Sequence, residues 1–128
     1  MACDARDEAR ERLSALAGDP TVQETEARRL ERDAALLHRL LTAAASHQHS
    51  GEQASEVAPD DLGAALSLFE DMRSQLDRLE TQVIIEARRR GLDWRQIAQY
   101  QGMKSSQAAS QRYQRLMTRL EEIRQGVR

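Results

Sequence analysis

Along most of the chain the apolar residues recur three and four apart, and nowhere do they alternate over a run as a half-buried strand requires. From about Asp4 to Ala17, Ala9, Leu13 and Leu16 share one helical face, and Gly18 supplies the stop. "GDPTVQE" then reads as a restart, with Asp19 as N-cap and Pro20 at the first helical position, where its missing N–H costs nothing. From Pro20 to about Ser46 the stripe is Ala27, Leu30, Ala34, Leu37, Leu41 and Ala44, widened by Leu36 and Leu40. "SHQHSGEQASE" breaks the period and reads as an exposed loop.

Pro59 with Asp60 and Asp61 has the form of a new helix start, carboxylates at the positive end of the dipole. The helix that follows carries Leu62, Phe69, Leu76 and Val83 seven apart, with Leu66, Met72 and Leu79 between them, and extends to Arg90. At about 1.5 Å per residue it is roughly 45 Å long. Such a helix cannot leave its seam bare: it folds back on the second helix as a hairpin, and the remaining seam is free to pair with a second copy. Gly91 ends it. Asp93 and Gln96 have capping-box spacing for a short helix from about Trp94 to Gln101, and Gly102 stops that helix in turn. Ser105 or Ser106 caps a last helix bearing Ala108, Ala109, Tyr113, Leu116, Met117, Leu120 and Ile123.

Composition agrees with the pattern. Ala, Leu, Arg, Glu and Gln, all strong helix formers, dominate, and with aromatics at 3% the core must be aliphatic. No apolar stretch approaches the roughly 20 residues that span a bilayer, and "MACDARDEARERL" lacks the basic start and apolar run of a secretory signal. With one cysteine, Cys3, no internal disulfide forms, and a cytoplasmic location is the expectation. Lys104 is the sole lysine among many arginines, a bias common to GC-rich bacterial genomes.

Charge changes the picture more. The chain holds 19 basic and 21 acidic residues; ten basic and three acidic lie from Arg88 onward, leaving nine and 18 before it. The net of minus two therefore conceals an acidic first part and a basic end of plus seven. A phosphate responds to charges within about 10 Å at 0.1 M salt, so the local excess indicates a polyanion partner better than the whole-chain value does.

Trp94, Ile97, Ala98, Gly102, Met103, Gln107, Ala108, Ala109, Arg112 and Tyr113 form a "W..IA...G...QAA..RY" pattern. It resembles the helix-turn-helix domains of bacterial transcription regulators, in the variety common in actinobacterial DNA-binding proteins, over about residues 81–120. The spacing from Ala98 to Gly102 suits a close helix crossing followed by a turn. The chain departs from the pattern at Gln101, where such domains often carry an apolar residue, and in "GMKSS", which is about one residue longer than the shortest turns. Either Ala108 or Ala109 can face inward.

With Ala109, Tyr113 and Leu116 inward, the opposite face presents Gln107, Ser110, Gln111 and Gln114, which suit base reading: Gln pairs with adenine in the major groove and none of these side chains repels phosphate. Arg95, Lys104, Arg112 and Arg115 surround that face, the helix start at Ser105 and Ser106 adds N–H donors, and Arg88, Arg89 and Arg90 form a further basic cluster. Simpler readings exist for several of these. Trp94 and Tyr113 suit the core of a small domain, Arg112 suits an internal hydrogen-bond donor, and the three arginines suit a helix C-terminus facing its own dipole.

His47 and His49, with His38 and Cys3 as helpers, sit in a Ser- and Gly-flanked stretch without ligand spacing to a carboxylate or thiol, so no metal or cofactor is expected. No phosphate loop, nucleophile–base pair or carboxylate pair is recognisable, which argues against an enzyme. The reading is all-α. Residues 1–78 form an acidic helical dimerisation region built on a long antiparallel hairpin, and residues 79–128 form a basic helix-turn-helix sharing the third helix. The function expected is that of a sequence-specific transcription regulator, a homodimer on double-stranded DNA in the bacterial nucleoid. A protein–protein module of the transcription machinery and a sequence-independent nucleoid binder are the alternatives.

Overall fold

A computed structural model describes residues 2–16, 25–50 and 57–126. The helices are α1 (Ala2–Ala15), α2 (Thr25–Ser50), α3 (Pro59–Arg89), α4 (Trp94–Tyr100) and α5 (Ser106–Arg124). The fold is all-α, a long α2–α3 hairpin followed by a helix-turn-helix unit, with α3 touching both α2 and α5. Every described side chain of α1 is exposed, Leu13 included, and so is Leu16 just beyond its end. The restart at Asp19 and Pro20 lies outside the described residues. The stretch read as a loop from Ser46 is helical as far as Ser50, which extends α2 through both His47 and His49. Ala, Ser, His and Gln carry no helix-breaking penalty, and the first strong breaker after them is Gly51.

The hairpin is antiparallel by arithmetic. Eight residues separate Ser50 from Pro59, a reach of at most about 29 Å. A parallel α3 would have to start beside Thr25, about 39 Å back along α2. At the start of α3, Pro59 occupies N1 and the Asp61 carboxylate accepts the Ala58 N–H at 2.9 Å.

Packing uses only part of the stripes that the spacing predicts. α2 turns in Leu30, Asp33, Leu37, Leu40 and Ala44, while Ala34 and Leu41 stay exposed. α3 meets it with Ala65, Leu68, Met72, Gln75 and Leu79. The seven-spaced residues Leu62, Phe69, Leu76 and Val83, with Leu66, remain exposed. The reason is that α3 has a second obligation on its other flank, where Thr81 and Ile84 are buried towards the C-terminal unit, and the seam lies between the two contacts.

The compact core belongs to that unit. Ile84, Ile97, Ala98, Ala109 and Leu116 are buried, with Ala87, Leu92, Trp94, Met103 and Tyr113 packed around them. Ala109 is fully buried and Ala108 is not, which settles the phase of α5. Both turns close in the same way. Leu92 donates to the Ala87 carbonyl and Gly91 to Arg88; Met103 donates to Ala98 and Gly102 to Gln99. These paired bonds are Schellman ends, and they require the positive φ found at Gly91 (94°) and Gly102 (71°).

An added Cβ at Gly102 meets no atom within 4 Å, so its requirement for glycine is conformational, whereas Gly63 lies inside α3 with equal space and an ordinary helical backbone. Gly102→Ala should therefore lower unfolding stability by about 1–2 kcal/mol, and Gly63→Ala should raise it by about 0.5–1 kcal/mol. Urea denaturation of the two variants checks the opposite signs.

Candidate nucleic-acid interface

Capping fixes the two helices of the unit. The Asp93 carboxylate accepts the Gln96 N–H at 2.8 Å while the Gln96 side chain accepts the Asp93 N–H at 2.9 Å, the reciprocal box expected from their spacing. Ser105, rather than Ser106, caps α5, its hydroxyl accepting the Ala108 N–H at 3.1 Å. Trp94 and Tyr113 face each other with centroids 5.5 Å apart, joining α4 to α5 as core partners.

With Ala109 and Leu116 inward, the helical period carries Gln107, Gln111, Gln114 and Thr118 to the far side of α5. Those four are exposed, and Ser110 is half-buried at the margin. Gln111, Gln114 and Arg115 share a shallow depression with Thr118, Arg119 and Glu122. Thr118 extends this face one turn beyond the residues that the sequence singled out; its spacing of seven from Gln111 was the available signal.

The basic residues divide by partner. Arg112 projects towards α3, where it grips Glu80 through two bonds, Nε to Oε2 at 2.6 Å and Nη2 to Oε1 at 2.8 Å. Two turns on, Arg119 reaches Asp77 of α3 at 3.2 Å. Gln101 donates its Nε2 to the same Glu80 carboxylate at 3.1 Å. The polar residue in an apolar position thus completes an internal cluster that ties α3, the turn and α5 together. Sequence reading missed Glu80 because its partners lie 21 and 32 residues away.

Electrostatics follow from that geometry. The Arg112 hydrogen bonds hold the Glu80 carboxyl below its usual 4.5 against the upward push of burial, with the Arg112 charge and the Gln101 bond adding to the fall. The Arg112 guanidinium is stabilised in its charged form in return. Arg89 and Arg90 both pair with Glu86, at 3.2 and 2.8 Å. The hydrogen bond from Arg90 is the main reason Glu86 also lies below the ordinary range.

Arg88 lies over the Trp94 ring, 5.1 Å from its centroid, and donates to the Leu92 carbonyl at 3.3 Å, keeping an uncompensated charge in a held position. Arg95, Lys104 and Arg115 are exposed, and among the described residues they make no ion pair. The cations of this unit left for an external anion are therefore Arg88, Arg95, Lys104 and Arg115; Arg115 borders the glutamine face and Lys104 immediately precedes the N-cap of α5. No group of three or more His, Cys, Asp and Glu side chains among the described residues is arranged to hold a metal. Nor is any helix there long and apolar enough to cross a membrane.

Residues 83–122 match the model of a family described as a Myb-like DNA-binding domain. The matched segment takes in the end of α3, all of α4 and nearly all of α5, the same three helices that build the core. No curated protein and no solved structure matches the chain.

The Glu80–Arg112 pair is partly shielded, with side chains 28% and 39% exposed, so its loss should cost about 1–2 kcal/mol after solvent screening is allowed for. Because the folded pKa of Glu80 is lowered, its contribution is present above the unfolded value near 4.5 and disappears as pH falls through the folded one. Glu80→Gln should accordingly be less stable than the parent at pH 7, and the difference should close as pH drops below 4.5; thermal unfolding across that range measures it.

Proposed function

We propose that this chain is a sequence-specific DNA-binding transcription regulator that lays α5 in the major groove. The supporting observation is the uncharged, hydrogen-bonding face of Gln107, Gln111, Gln114 and Thr118, in a unit that also exposes cations without a carboxylate partner and matches a Myb-like DNA-binding domain. Glutamine side chains read adenine edges, and Ser106 and Gln107, at the amino end of α5, bring backbone N–H groups to a phosphate. Arg88, Arg95, Lys104 and Arg115 would hold the backbone on either side. Arg89 and Arg90, sharing one carboxylate, would make the weaker phosphate contacts, and Ser105 would act through its cap.

In this reading Arg112 is a positioning residue: with Glu80 it sets the angle at which α5 leaves α3. Residues 1–78 form the dimerisation region and residues 79–128 the DNA-binding region, and the homodimer places two reading helices about 34 Å apart on one DNA face. The sequence pattern further suggests a cytoplasmic, nucleoid-associated bacterial protein of the actinobacterial type. A protein-binding module is the alternative, favoured by Tyr100, which is 84% exposed on the α4 side of the unit.

Fluorescence anisotropy with pooled duplex DNA over a salt series tests the reading. Arg95→Ala and Lys104→Ala should weaken all sites alike and reduce the salt slope by about one each. Gln111→Ala and Gln114→Ala should relax preference for particular bases by about 1–3 kcal/mol while leaving that slope unchanged. Absence of binding at low salt would overturn the DNA reading in favour of a protein partner, and a salt slope without preferred sequences would indicate sequence-independent binding.

A further inference from the structure

The hairpin has two broad sides, and they differ in chemistry. On two antiparallel right-handed helices, the residue that follows each inward position projects to one side of the layer on both helices, and the residue that precedes it projects to the other. The inward positions are Leu30, Asp33, Leu37, Leu40 and Ala44 on α2, with Ala65, Leu68, Met72, Gln75 and Leu79 on α3. Following them on α2 come Glu31, Ala34, His38, Leu41 and Ala45, and on α3 Leu66, Phe69, Arg73, Leu76 and Glu80. Preceding them come Arg29, Arg32, Leu36, Arg39 and Ala43 on α2, and Ala64, Ser67, Asp71, Ser74 and Arg78 on α3.

The first side is thus mainly apolar, with large side chains at Leu41, Leu66, Phe69 and Leu76, and the second mainly charged or polar, with Leu36 its one large apolar residue beside Ala43 and Ala64. The apolar side is bare: Leu41 is 65% exposed, Leu66 70% and Leu76 52%. It continues past Leu76 to Val83 and into an open groove of about 910 Å³ between α3 and α4 whose wall includes Leu92, Tyr100 and Met103. Arg112, which leaves α5 on the α3 side, lines this groove, whereas Gln107, Gln111 and Gln114 do not.

We infer that this side is covered by the same side of a second copy, giving a four-helix bundle with the two hairpins face to face. Three properties select that occupant. A two-helix layer that is apolar on one side only is half of a bundle, and the face that completes it is its own equivalent. Its charges nearly balance: Glu31 is negative, Arg73 is positive and already lies 5.7 Å over the Phe69 ring, and Glu80 is neutralised by Arg112. Two such faces therefore meet without a repulsive excess. Finally, an overlap of about 39 Å by two helix widths covers roughly 700–800 Å² per copy, close to what a stable dimer requires.

The inference rests on the homodimer part of the proposed function and is independent of DNA. Sedimentation of the full chain without DNA should give twice the 14.5 kDa chain mass. Leu66→Glu and Leu76→Glu, at positions too exposed in one copy to disturb its fold, should each raise the dimer dissociation constant at least about 100-fold by burying an unpaired carboxylate. Leu36→Glu, on the charged side, should leave it unchanged. A photo-crosslinking residue in place of Leu66 should join two copies of an otherwise intact chain. A monomeric parent, or a dimer dissociated by Leu36→Glu and indifferent to the other two, would overturn the inference while leaving the anisotropy test of DNA reading intact.

Discussion

Glu80 stands at the junction on which the C-terminal unit depends. It lies on the half-buried side of α3 and receives three hydrogen bonds, two from Arg112 on α5 and one from Gln101 in the turn. An ionised carboxylate placed there without partners would favour a protonated or displaced state; with them it is held ionised. The bidentate geometry also constrains direction, because a guanidinium gripped through Nε and Nη2 has little rotational freedom about its partner. Asp77 and Arg119 repeat the tie two turns along α5. The angle of the last helix relative to α3 is thereby set by matched charges on top of a small aliphatic core.

That core alone would be modest. Its buried members are one Leu, two Ile and two Ala, and the aromatic pair Trp94–Tyr113 packs against them. Small residues at Ala98 and Ala109 let α4 and α5 approach, and the glycine ends at Gly91 and Gly102 turn the chain sharply enough to bring three helices together within 40 residues. The consequence for function is a division of the basic residues. Those facing α3 serve the fold, and those facing outward remain available to a polyanion. A charge count over the segment, plus seven from Arg88 onward, overstates the attraction because it includes Arg89, Arg90, Arg112 and Arg119, each of which already has a carboxylate.

The hairpin and the C-terminal unit make competing claims on α3. Met72, Gln75 and Leu79 serve α2, while Thr81 and Ile84 serve the other side, and the stripe from Leu62 to Val83 is left between them. A seam with heptad spacing is thus present in the sequence but is not the contact within the chain. Gln75, 2% exposed, and Asp33, 8% exposed, occupy the inward stripes instead. An intrachain contact with polar residues at its centre binds its two helices less strongly than an all-apolar one, which makes covering the outer seam more valuable.

Local chemistry was legible in the sequence, since each signal involves residues a few positions apart. The all-α class, the Asp93–Gln96 box, the glycine ends and the polar face of the last helix all depend on spacing of one to seven residues along a helix whose geometry is fixed by the peptide unit. Once a helix is granted, Gln107, Gln111 and Gln114 must share a side. What only the tertiary structure decided are choices among equally periodic alternatives: Ala109 over Ala108 as the inward residue, Leu68 over Phe69 as the contact with α2, Glu80 over phosphate as the partner of Arg112 within the free chain. Each depends on which surfaces meet across 20 or more residues of chain, and helical periodicity, which repeats the same few directions along every helix, carries no record of that.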